Sequence, residues 1–79
     1  MLGQKEEKVV VTFHTTAEAM ATEKRCKEQN APGRLIPVPR VLSAGCGLAW
    51  CAPADAQPVL EALFVKEGIV YDKMTRLML

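Results

Sequence analysis

Residues 34–51 read RLIPVPRVLSAGCGLAWC. The stretch begins β-branched and apolar at Leu35, Ile36 and Val38, and it is punctuated by Pro37 and Pro39. It opens into Ser43-Ala44-Gly45-Cys46-Gly47 and closes apolar again at Leu48-Ala49-Trp50-Cys51. Two short apolar runs around a small-residue loop predict two strands, residues 34–38 and 48–51, joined at one end. Neither proline can donate a ladder hydrogen bond, which sets the first of these strands at a sheet edge. In the second, Leu48 and Trp50 fall on one face and Ala49 and Cys51 on the other.

Working outward, the hairpin is flanked on each side by one helix and one strand. Residues 8–13 (KVVVTF) are β-branched and aromatic and predict a buried strand. His14-Thr15-Thr16 then offers threonine as a helix cap, with Glu18 and Glu23 soon after it, where the helix dipole favours acid. Residues 16–29 contain good helix formers and no Pro or Gly. Their inward stripe is thin (Ala19, Met20, Thr22, Glu23, Cys26), so this helix should lie close against a sheet. Asn30-Ala31-Pro32-Gly33 is turn chemistry. Beyond the hairpin, Pro53-Ala54-Asp55 predicts the start of a second helix, with Asp55 as a cap and Pro58 in the first turn. Ala56, Val59, Leu60, Leu63 and Phe64 form its stripe, and Gly68 is its C-terminal cap. A last strand is expected over residues 74–78.

The order strand, helix, strand, strand, helix, strand predicts an α+β, ferredoxin-like βαββαβ fold, with a four-stranded antiparallel sheet and both helices on one face. A chain of 79 residues is one domain. Residues 1–7 read as a flexible polar leader and residues 8–79 as the domain. Apolar residues make up 49% and charged residues 24%, a globular balance rather than a disordered one. The net charge of +1 gives no electrostatic case for nucleic acid. No apolar run approaches the ~20 residues needed to cross a bilayer, and the charged start lacks a signal peptide's apolar core, so no membrane role and a cytoplasmic location are expected. Three cysteines without tight spacing fit reduced thiols better than disulfides.

The predicted topology brings the hairpin loop to the end where the first strand exits and the first helix begins. Cys46 is then expected near His14, Thr15 and Thr16. Gly45 and Gly47 remove the steric shield around it. Arg40, His14, Thr16 and the helix N-terminus favour an anion, and Ser43 adds a hydroxyl. A thiol in such surroundings has its pKa lowered, and the thiolate is the reactive form. Cys46 is therefore the candidate nucleophile. Cys26 reads as a buried small hydrophobe. Cys51 lies too far along an extended strand to pair with Cys46 unless the loop folds back. One His and three scattered Cys match no metal-ligand spacing, and no cofactor fingerprint is present.

The motif Arg34, Pro37, Pro39, Arg40, Ser43, Cys46, Gly47, together with VVVTFHTTAEAM before it and KEGI after it, resembles a family of small bacterial domains described as selenium or sulfur carrier-like proteins. The resemblance spans about residues 9–77. It implies that Cys46 holds a sulfur or selenium atom covalently, as a persulfide or perselenide, and exchanges it with donor and acceptor proteins. That describes a carrier rather than a complete enzyme. The alternative is a non-catalytic binding or regulatory module that associates through its sheet. The apolar tail at Met74, Met78 and Leu79 points to packing against a second copy, as in a homodimer.

Overall fold

The computed structural model describes residues 5–42 and 47–79. Strand β1 (Glu7–Thr12) leads into helix α1 (Thr16–Glu28). Strands β2 (Arg34–Pro37) and β3 (Leu48–Pro53) form the hairpin, and a 3-10 turn (Ala54–Ala56) runs into helix α2 (Gln57–Glu67). Strand β4 (Lys73–Met78) completes the chain order. The four strands form one antiparallel sheet in the order β2-β3-β1-β4, so β1 and β3 are central and β2 and β4 are the edges. This is the ferredoxin-like arrangement expected from the sequence.

Alternation along the strands sorts the core. Val9 and Val11 on β1, Phe13 just beyond it, and Trp50 and Ala52 on β3 all cluster with Ala19 and Cys26 of α1 and Leu60, Leu63 and Phe64 of α2. Both helices therefore cover the same face. The α1 residues in this core are small, which lets the helix lie close. Trp50 fills the largest share of the space between layers, and its Nε1–H donates to the Pro32 carbonyl at 3.1 Å, so the indole's one polar atom is satisfied. Phe64 meets Tyr71 with ring centroids 5.4 Å apart at 55°. Outside the core, Arg76 of β4 ties the sheet to the start of α2 through a 2.7 Å hydrogen bond to Gln57.

Some local expectations are corrected. β3 runs on to Pro53, which pairs with Lys8 as the last residue of the ladder, where a missing N–H costs least. Asp55 is not the cap of α2. A 3-10 turn intervenes, and the residue preceding the helix, Ala56, makes no side-chain capping bond. Val59 and Met20, assigned to inward stripes, are 55% and 52% exposed, because the core needs only Leu60, Leu63 and Phe64 from α2 and Ala19, Thr22 and Cys26 from α1. Among the described residues, no helix is long and apolar enough to cross a membrane.

Candidate functional site

One end of the sheet gathers the exit of β1, the start of α1, the hairpin and the entry to β4. Thr15 caps α1: its Oγ1 accepts from the Glu18 N–H at 3.1 Å. Glu18 reaches back one residue further than in an ordinary capping box, and Oε1 accepts from the His14 backbone N–H at 2.8 Å. That backbone bond, with the His14 ring beside it, holds the Glu18 carboxyl below its ordinary pKa despite an opposing desolvation. Replacing Thr15 with Ala removes the cap and is expected to cost about 1 kcal/mol in chemical denaturation, with α1 amides at this end losing exchange protection first.

His14 stands between two carboxylates. Nδ1 lies 3.0 Å from Glu18 Oε1, and Nε2 lies 3.6 Å from Asp72 Oδ1. Asp72 is fixed in turn by its own backbone N–H, which donates to the Thr12 carbonyl at 2.7 Å. The ring is exposed on its outer side, with side-chain exposure of 54%. Sequence reading placed His14 here and had Glu18 in view, but the contribution of Asp72 comes from across the fold. Thr12 was missed as well. Its side chain is 2% exposed, and Oγ1 is buried without a hydrogen-bond partner among the described residues. Such a group costs about 1–3 kcal/mol if left unpaired.

The hairpin approaches this cluster from β3. The β1–β3 register ends with Thr12 opposite Ala49, two residues before His14 on one chain segment and two residues after Gly47 on the other. Gly47 is exposed at φ +75, in the left-handed region where a side chain is strained. Its carbonyl accepts from the Val38 N–H at 3.0 Å, closing the root of the loop. A tight turn follows Val38, with the Leu42 N–H donating to the Pro39 carbonyl at 2.9 Å. Arg40 sits on this turn, exposed and without an ion pair among the described residues. Thr16, the first residue of α1, is exposed at the same end. Ser43, Gly45 and Cys46 lie outside the described residues.

The two described thiols are free and differ in setting. Cys26 is fully buried in the core, and desolvation pushes its thiol up to about 11. Cys51 is half-buried on β3, on the face opposite the helices. Among the described residues, no three His, Cys, Asp or Glu side chains converge as a metal site.

A family model described as "Putative Se/S carrier protein-like" matches residues 8–76. No curated protein and no solved structure matches the chain.

Proposed function

Because the chain belongs to the Se/S carrier-like family, we propose that Cys46 is the residue that accepts and delivers the sulfur or selenium atom. The observation that carries this choice is the burial of Cys26. A thiol closed inside hydrocarbon and pushed up to about 11 is a poor nucleophile, and Cys51 belongs to a paired strand. In the sequence, Cys46 alone belongs to the segment between Val38 and Gly47, and those two residues lie at the end of the sheet where β1 exits and α1 begins.

In the reaction, the Cys46 thiolate attacks the outer sulfur of a donor persulfide. The donor's S–S bond breaks and the donor leaves as a thiolate, so Cys46 now carries the persulfide. Attack by an acceptor nucleophile on the terminal sulfur reverses the exchange and frees Cys46. Selenium follows the same course as a perselenide. The positive end of the α1 dipole, the Arg40 guanidinium and Ser43 stabilise the anionic forms, while Gly45 and Gly47 leave room for a partner. His14, held by Glu18 and Asp72, supplies a proton donor or acceptor at the same end. The partners on this reading are donor and acceptor proteins.

Mass spectrometry of the chain after incubation with a persulfide donor, or with the corresponding perselenide, tests it. One added sulfur or selenium atom is expected on the wild-type chain, mapped to Cys46, released by reductant and lost on Cys46→Ser. An adduct that survives Cys46→Ser, or a wild-type chain that takes up nothing, overturns the assignment. Cys26 offers no competing signal in the folded chain because of its burial.

A further inference from the structure

The face of the sheet away from the helices is cationic. In the paired strands it carries Lys8 on β1, Arg34 on β2 and Lys73 on β4, and no Asp or Glu. The acids of the chain lie elsewhere, mostly on α1, α2 and the turns beside them. Glu6, just before β1, reaches Lys8 at 3.3 Å, but it is 73% exposed and such a pair is worth little in water. Arg34 and Lys73 have no ion pair among the described residues. Near the hairpin loop this face is closed, with Thr12 and Ala49 buried. At the opposite end it opens into a cleft of about 510 Å³ beside β2. Lys8 and Arg34 flank the cleft, and Ile36, Cys51, Pro53 and Leu79 give it apolar walls.

We propose that this cleft docks an acidic, partly apolar segment of a partner protein. Two cations over an apolar floor, Lys8 with only the exposed Glu6 beside it and Arg34 with no ion pair among the described residues, favour carboxylates presented on an apolar backbone. A second copy meeting this face with its own would set cation against cation, which disfavours that occupant. Single-stranded nucleic acid wants aromatic platforms, and this face has none. Phe13, Trp50 and Phe64 are all in the core on the helix side, with Tyr71 packed against it. The cleft is centred on the end of the sheet where Lys8 and Pro53 pair, and it runs along β2 as far as Ile36.

The test uses the full chain carrying Cys46→Ser, labelled with ¹⁵N and titrated with a short acetylated, amidated peptide of glutamate and leucine. Saturable amide shifts are expected at Gly33, Arg34, Cys51 and Ala52, weakening as salt is raised. Alkylation of Cys51 should slow when the peptide is bound. Lys8→Glu with Arg34→Glu should weaken binding by roughly tenfold or more. If that pair does not fold, Lys8→Gln with Arg34→Gln carries the test, again with weaker binding expected. Shifts confined to α1 and α2, unchanged affinity in the folded double variant, equal binding of a lysine–leucine peptide, or no saturable shift each overturn the proposal. So does displacement of the peptide by a single-stranded oligonucleotide, or by the chain's own self-association through this face. Because the tested chain lacks Cys46, failure here leaves sulfur loading untouched, and failure of sulfur loading leaves this result untouched.

Discussion

Gly33→Ala is expected to lower the stability of the chain by about 3 kcal/mol, read as a fall in the urea midpoint at unchanged slope. Gly33 holds φ +113, and a methyl group placed on it would meet both the Cys51 carbonyl oxygen and Trp50 Nε1 at 2.5 Å. One of these neighbours is backbone in a central strand, and the other belongs to a core indole already committed to Pro32. Neither can step aside without breaking a ladder or a buried hydrogen bond. Gly47→Ala is the informative comparison. It has a similar backbone constraint at φ +75 but nothing among the described residues within 4 Å of the added methyl, so only the conformational cost of about 1 kcal/mol is expected. Equal losses for the two substitutions would mean that the contact of Gly33 with β3 has no energetic weight.

Trp50→Ala should be more damaging still, at about 4 kcal/mol. The side chain is 2% exposed, and it bridges the sheet to the segment leaving α1 through its bond to Pro32. Removing it opens a cavity between the layers and leaves a carbonyl unpaired. A chain of 79 residues has only about 4–12 kcal/mol of total stability, so a substantial unfolded fraction should be visible by circular dichroism at room temperature. Trp50→Phe keeps most of the volume and loses the N–H, for which about 1–2 kcal/mol is expected. If Trp50→Ala melts with the wild type, the placement of the indole in the core is wrong.

Much of this architecture was written in the local pattern. The β-branched run before His14 became β1, the two prolines marked β2 as an edge, and Gly68 closes α2 in the left-handed conformation at φ 65. These signals are short-range: branching at Cβ, a missing N–H, a missing Cβ. What escaped needs long-range register. Asp72 meets His14 only because β4 pairs beside β1, and the 3-10 turn before α2 displaced the cap expected of Asp55. Val59 kept helical spacing with Leu60 and Leu63 yet faces water, since a stripe predicts a direction and not how wide the opposing layer is. The segregation of charge between the two faces was invisible as well, because a net charge of +1 conceals it until each strand is assigned its parity. For the candidate site, the surroundings of the loop were legible from topology, whereas Ser43, Gly45 and Cys46 fall outside the described residues.

The two outer strands of the sheet are unequal. β2 is four residues long and ends in Pro37, so its rim has few amide donors to offer another chain. β4 is six residues long, free of proline, and keeps only Lys73 and Arg76 as charged sentinels. Any extension of the sheet by a foreign strand therefore proceeds from the β4 side alone. The molecule has one growing end and one blunt end, and misassembly through backbone pairing would be suppressed by a proline within β4 and little changed by one in β2.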